Sequence, residues 1–328
     1  MDKFIKKIKV NELKDGIIVN DVFFVKFKKG MKAYKNGYFF ELTLSDNSGA
    51  NIDYKYWGPG DELSVKSLYD SISADSIVNI QAPAKISTYN NKLELGSNDK
   101  NSIRVLKEGE YEISDFIRKS SKNIESMMDE VLKFIALVED INIKKLLDSL
   151  FGNPVFQNKF KNHPGAIEIH HGWVGGLMEH TLEVAKYCKA SWEIYPKLNK
   201  DLLIAGALMH DLGKMEELTT TTRIKGTVTG QLVGHLILGA IFVSNKCDEL
   251  SINGDLKSKL LHIISSHHGK LEYGAPKEPM FPEAVVIYYA DELSSKISEM
   301  IEFVDSSKES TEDDFMFHKR SLKNIFLK

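Results

Sequence analysis

The chain has 328 residues, 42% of them apolar, enough for about two domains of ordinary size, each with its own core. A disordered tail and a disulfide-stapled miniprotein are both excluded. The formal net charge is only −3, which argues against a protein that coats nucleic acid by bulk charge. That average conceals an asymmetry: residues 1–35 hold ten lysines against four acids, a net of +6, and the other 293 residues carry −9. The only cysteines, Cys188 and Cys247, lie far apart in amphipathic stretches, so no disulfide framework or cysteine zinc knuckle can form and a cytoplasmic location is expected. No apolar segment follows the charged start MDKFIKKIKV, and the most apolar runs, at 236–243 and 284–290, are too short to span a bilayer, so no membrane partner is expected.

In chain order, β-rich or alternating runs come first: Ile17–Lys29, Gly37–Ser45, Ala50–Trp57, Ser76–Ser87 and Lys92–Leu95, separated by turn chemistry at Lys35-Asn36-Gly37, 46–49 and 89–91. Between the third and fourth runs, 61–72 has helical spacing with Leu63, Val65, Leu68 and Tyr69 apolar and Asp61 as cap. Five strands with one helix after the third is the order of an oligonucleotide-binding (OB) barrel. Lys26, Lys28, Lys29, Lys32 and Lys35 stand beside Tyr34, Tyr38, Phe39 and Phe40, with Tyr54, Tyr56 and Trp57 on the third strand. Cations interleaved with aromatics suit a single-stranded nucleic acid, and Lys28, Lys32, Tyr34, Tyr38 and Trp57 are the expected contacts. Alternation puts Tyr38 and Phe40 on one face and Phe39 on the other without saying which is outside, and about half these rings must be core.

From about 111 the period changes to 3.6, with helices expected near 113–119, 122–138, 140–151, 174–190, 200–210, 230–249, 255–267 and 281–304. The expected fold is therefore multidomain: a small all-β OB barrel over 1–108, a helical linker region over 109–160 packing on the catalytic domain, an all-α bundle over 161–305, and a tail over 306–328 with a loop and a last short helix. The amphipathic 113–151 stretch is a candidate for an interdomain brace or a homo-oligomer interface.

Nine of the ten histidines fall between 163 and 268. His180, the pair His210-Asp211, His235, the pair His267-His268 and Asp291 each sit on, or at the end of, a different expected helix. Imidazole and carboxylate without thiolate form a ligand set for a catalytic divalent metal: Mn²⁺, Fe²⁺, Co²⁺, Ni²⁺ or Zn²⁺. A lone helical histidine is usually a core or surface residue; seven groups aimed inward by a bundle change that weighting. The segment before His210-Asp211, LLIAGALM, is uniformly apolar, so a polar pair there is costly unless a cation partners it.

These strings, Glu179-His180-Thr181, His210-Asp211-Leu212-Gly213-Lys214, Gly230 to His235, Ser266-His267-His268-Gly269 and Asp291, resemble the HD-domain metal-dependent phosphohydrolases. An OB barrel followed by HHGWVGGLMEHTLEVA, AGALMHDLGK and GQLVGHLILG is similar, more narrowly, to the YhaM family of 3′→5′ exoribonucleases. The resemblance implies that His180, His210, Asp211 and Asp291 hold one metal ion and His235, His267 and His268 a second, with Asp211 bridging and Mn²⁺ the favoured ion. It implies hydrolysis of single-stranded RNA, with single-stranded DNA also open, from the 3′ end to nucleoside 5′-monophosphates. Lys214 would offer a cation to the reacting phosphate beside Asp211, while His171 and Trp173, next to His170, and Arg223, next to Lys225, would border the substrate. A phosphohydrolase of nucleotides or cyclic dinucleotides is the alternative, although the text after His268 departs from the HD-GYP branch, which usually reads HHE there.

Overall fold

The computed structural model describes every residue except 1–2, 113–114, 168–170, 253, 309–312 and 319. It divides into two compact units, one of Met1–Arg118 with Thr221–Arg223, the other of Lys119–Thr220 and Ile224–Lys328.

In the first unit the long strands are β1 (Ile18–Lys28), β3 (Gly37–Ser45), β4 (Asn51–Trp57), β5 (Ile77–Ile86) and β6 (Leu93–Ser97), joined by the short β2 (Lys32–Tyr34) and β7 (Ile103–Val105). Helix α1 (Glu62–Ser71) lies between β4 and β5, and the Asp61 side chain accepts from the Ser64 N–H as an N-cap. The strand order β1-β3-β4-β6-β5 closes through β1–β5, and β4–β6 is the parallel pair, which makes this an OB-like barrel. Its interior comes from one side of each strand: Val19, Phe23, Val25, Phe40, Leu42, Leu44, Ile52, Tyr54, Tyr56, Val78, Ile80 and Leu95 are buried. Period-two alternation thus resolves the question of faces, with Phe40 inside and Phe39 outside.

The second unit is mainly helical: α2 (Ile124–Ala136), α3 (Ile141–Phe151), α4 (Pro154–Lys161), α5 (Gly176–Ile194), α6 (Lys200–Met209), α7 (Lys214–Glu217), α8 (Val228–Val233), α9 (His235–Glu249), α10 (Gly254–Ser266) and α11 (Pro282–Lys308). Helices α2 to α4 contribute Val131, Leu146, Leu150 and Phe160 to the same core as Leu177, Leu208, Ile263 and Ile287, so this segment is part of the helical unit's own interior. The core seats α6, whose residues from Leu202 to Met209 are all buried.

Three expectations need amending. Helix α4 is not anticipated, because Gly152-Asn153-Pro154 reads as a break; here Asn153 caps the helix and Pro154 is its first residue, where a missing N–H costs nothing. The helix expected over 230–249 is two, α8 and α9, broken at Gly234 with φ +79°, which puts His235 at a helix start. The all-α expectation omits two hairpins, β8 (Leu218–Thr220) with β9 (Ile224–Gly226), and β10 (Phe315–His318) with β11 (Lys323–Phe326) where a last helix is expected. Runs of three or four residues are too short for periodicity to separate strand from helix. The helix expected at 113–119 falls partly outside the described residues. Among the described residues no helix is long and apolar enough to cross a membrane.

Candidate metal centre

Six helices bring the site together. His180 projects from the first turns of α5, His210-Asp211 ends α6, Lys214 opens α7, His235 opens α9, His267-His268 follows α10 and Asp291 lies on α11. His180, His210, Asp211 and His267 are almost wholly buried, and the Asp291 side chain is 15% exposed.

Asp211 is the focus. Its Oδ2 stands 3.5 Å from His180 Nε2 and 3.4 Å from His210 Nε2, while its Oδ1 stands 3.7 Å from His235 Nε2 and 3.5 Å from His267 Nε2. Asp291 Oδ1 lies 3.0 Å from His180 Nε2 and 4.0 Å from His210 Nε2, and His268 Nε2 lies 3.2 Å from His235 Nε2. Both members of the His267-His268 pair therefore aim at the centre.

The other ring nitrogens point outward to acceptors. Nδ1 of His210 meets the Ala207 carbonyl at 2.8 Å, that of His267 the Ile264 carbonyl at 2.8 Å, that of His268 the Tyr273 carbonyl at 3.3 Å and that of His235 a Glu217 carboxylate oxygen at 3.0 Å. His180 Nδ1 meets the Ser294 hydroxyl at 2.9 Å. A carbonyl or carboxylate can only accept, so Nδ1 of His210, His235, His267 and His268 carries a proton, and in the neutral ring Nε2 then presents its lone pair inward, as in metal sites. Lone pairs then confront each other twice, His180 against His210 at 3.2 Å and His235 against His268 at 3.2 Å. In addition, Asp211 Oδ1 and His267 Nε2 are buried without a hydrogen-bond partner among the described residues, and Asp211 Oδ2 has the Lys214 ammonium on one side alone. Unsatisfied buried acceptors are costly, and a cation among them removes the cost. The residues present fit a divalent metal.

Charge in the pocket is set by close partners. Burial opposes ionisation of Asp211, but the Lys214 ammonium, with Nζ at 2.7 Å from Oδ2, holds its carboxyl well below the usual carboxylate range. Burial likewise lowers the His267 imidazole to about 4, against the pull of Asp211. Lys214, readable from sequence as a surface lysine after a helix, is instead half-buried against Asp211, which raises its ammonium's pKa despite desolvation.

Gly213 explains the close approach of α7 and α9: a methyl group there would lie 1.9 Å from the His235 carbonyl oxygen and 2.6 Å from Gly239 N. Since backbone cannot swing aside, Gly213→Ala is expected to destabilise the protein by about 3 kcal/mol or more, read as a lowered urea midpoint. An unchanged midpoint would contradict this packing.

His163 supports the same turn, its Nε2 2.8 Å from the Lys214 carbonyl, and burial lowers its imidazole to about 4. The folded protein thus keeps His163 neutral where the unfolded chain takes up a proton below about 6.5. Its stabilisation is full above that pH and lost as pH falls towards about 4, on the order of 3 kcal/mol in all. In metal-free protein, His163→Gln should flatten the fall of the urea midpoint between pH 7 and 4.5; an equally steep fall would reject it.

The residues expected to touch substrate divide into two groups. Phe39 stacks on Trp57 with centroids 4.8 Å apart, and Tyr34 meets Trp57 edge-on at 5.0 Å. Strand register places Lys32 opposite Phe39 and Phe39 opposite Trp57, so cation and rings share the barrel's outer face. Tyr38 lies on the inner face against the core, and Lys28 donates to the Tyr69 and Ile72 carbonyls at 2.6 and 2.5 Å, closing the end of α1; neither joins the platform. In the helical unit, His171 is buried with Nε2 3.3 Å from Glu183, and Trp173 donates to Glu179 at 2.9 Å, so both face carboxylates. Arg223, in the turn after β8, pairs with Asp75 at 2.5 Å. His170 lies outside the described residues. Reasoning from sequence also passes over Glu217, which holds His235 through both ring and backbone N–H; its one signal is the acidic pair Glu216-Glu217 just after Lys214.

A third cluster of possible ligands, His171, Glu179 and Glu183, already contains a cation: Lys122 Nζ lies 2.8 Å from Glu179 and 3.2 Å from Glu183. Burial opposes the charge on Glu183, yet His171, Ser294 and Lys122 bring its carboxyl down to about 2.

Fold and site together define an HD-domain protein, and the HD domain family matches residues 177–296. The 3′-5′ exoribonuclease YhaM of Geobacillus sp. (strain WCH70) is 34% identical over 294 residues, covering 88% of this chain and 86% of that protein. The chain belongs to the YhaM family of exoribonucleases. Among solved structures, RecG bound to a three-way DNA junction matches with a TM-score of 0.25 and 13% identity over 59% of this chain and 26% of that one, too slight a likeness to carry argument.

Proposed function

We propose that this chain is a metal-dependent 3′→5′ exoribonuclease that shortens single-stranded RNA to nucleoside 5′-monophosphates. The carrying observation is the pair of opposed imidazole lone pairs on either side of Asp211, one at each of its oxygens. His180, His210, Asp211 and Asp291 would hold one divalent ion and His235, His267 and His268 a second, with Asp211 shared. Bound there, such ions, Mn²⁺ before Fe²⁺, Co²⁺, Ni²⁺ or Zn²⁺, supply an acidified water and neutralise charge at the phosphate.

Lys214 presents its ammonium within the same pocket, where a cation stabilises charge gathering on a nonbridging phosphoryl oxygen. Glu217 fixes the His235 ring and its proton. On the barrel, Phe39, Trp57 and Tyr34 give successive bases a sequence-tolerant stacking surface while Lys32 meets the phosphates. The two buried, unpaired thiols accord with a cytoplasmic setting. A 5′-labelled single-stranded RNA incubated with the protein and Mn²⁺ should give a ladder of products shortened from the 3′ end. Intact RNA, or internal cuts, would sink the reading.

A further inference from the structure

We propose that Glu183 and Ser294 are positioning residues for His180, forming with it a hydrogen-bonded relay that Lys122 clamps. The proposal rests on the metal-centre reading above and extends it to residues that touch no substrate.

His180 Nδ1 and Ser294 Oγ are 2.9 Å apart, and Ser294 Oγ is 2.8 Å from Glu183 Oε2. The direction follows from chemistry. A carboxylate has no proton to give, so the single hydroxyl proton goes to Glu183 and the oxygen accepts from His180 Nδ1–H. That order fixes the tautomer whose Nε2 lone pair faces Asp291 and Asp211. His180 and Ser294 are both buried, leaving no water to replace the bond.

The relay also ties helices together. Glu183 lies three residues beyond His180 on α5, and Ser294 three beyond Asp291 on α11, so one face of α11 supplies both a ligand and the group that orients another. The other Glu183 oxygen, Oε1, is held by Lys122 at 3.2 Å, and His171 Nε2 lies 3.3 Å from Oε2 beside Ser294. Lys122 stands just before α2, where Ser120 N donates to the Val174 carbonyl at 3.0 Å and Ser120 Oγ to Glu179 at 2.7 Å. The segment that leads into the helical unit is thereby latched to the support of a metal ligand.

The test is Mn²⁺ affinity of the full-length protein, measured by competition with a fluorescent chelator, beside the melting temperature of the metal-free form. Ser294→Ala and Glu183→Gln should each weaken one of two Mn²⁺-binding steps by about 10–100-fold, with the other step within about threefold and the metal-free melting temperature within a few degrees. Ser294→Thr, which keeps the hydroxyl, should recover most of the loss. Because the residues act in series, the double variant should lose no more than the weaker single one. Affinity within twofold of the parent in Ser294→Ala, equal losses at both steps, additive losses in the double variant, or no recovery in Ser294→Thr would each overturn the relay. A parent protein that binds no Mn²⁺ would instead overturn the metal-centre reading itself.

Discussion

Asp211→Asn is expected to abolish RNA hydrolysis, lowering kcat by about a thousandfold or more, the scale seen when a central catalytic group is removed. Each Asp211 oxygen faces one set of imidazoles, Oδ2 that of His180 and His210, Oδ1 that of His235 and His267. Asparagine has the same shape but no charge, and its NH₂ would donate to an Nε2 lone pair instead of drawing a cation between the rings. The fold should therefore survive the change, and some of the unfavourable lone-pair opposition would be relieved. Binding of single-stranded RNA, followed by fluorescence anisotropy in excess chelator, should stay within about threefold, because the platform of Phe39, Trp57 and Tyr34 lies on the barrel. A variant that hydrolyses RNA normally, or loses RNA binding as severely as turnover, would contradict this division of labour.

Trp57→Ala should weaken RNA binding by about tenfold or more while leaving turnover at saturating RNA nearly unchanged. Stacking of a base on an aromatic ring is worth ~1–3 kcal/mol. Trp57 is also the ring on which Phe39 stacks and against which Tyr34 rests, so its loss strips the platform of its centre. At 37% exposure the side chain stands on the barrel's surface, so the effect on the melting temperature should be small beside that of a core residue such as Phe40. Trp57→Phe keeps a stacking face and should recover most of the affinity. An unchanged dissociation constant in Trp57→Ala would remove the platform from the binding site.

Much of the molecule is legible from the residues alone. Alternation around Phe40 and around Tyr54 marks the barrel strands, and Asp61 announces α1, because both signals are local. The HD constellation is legible for a different reason: its members carry chemistry that a helical core does not otherwise tolerate, so their residue types stand out against runs such as LLIAGALM. Lysine counting is less informative. Of the ten lysines that make the start of the chain basic, Lys6 is buried against Asp46 at 3.1 Å, Lys28 closes α1, and Lys29 pairs with Glu41 at 2.6 Å, so three of the ten serve the barrel itself.

By itself, then, the sequence determined which side chains gather in the candidate metal centre, in what order helices present them, and that a barrel precedes a bundle, since these follow from residue type and period. Tertiary structure decided what each polar group faces. That Tyr38 is inside and Trp57 outside, that Lys214 pairs with Asp211, that His171 meets Glu183, and that Glu217 and Ser294 meet His235 and His180 all depend on segments that must come together in space. A hydrogen-bond partner 114 residues away, as Ser294 is from His180, leaves no periodicity to read.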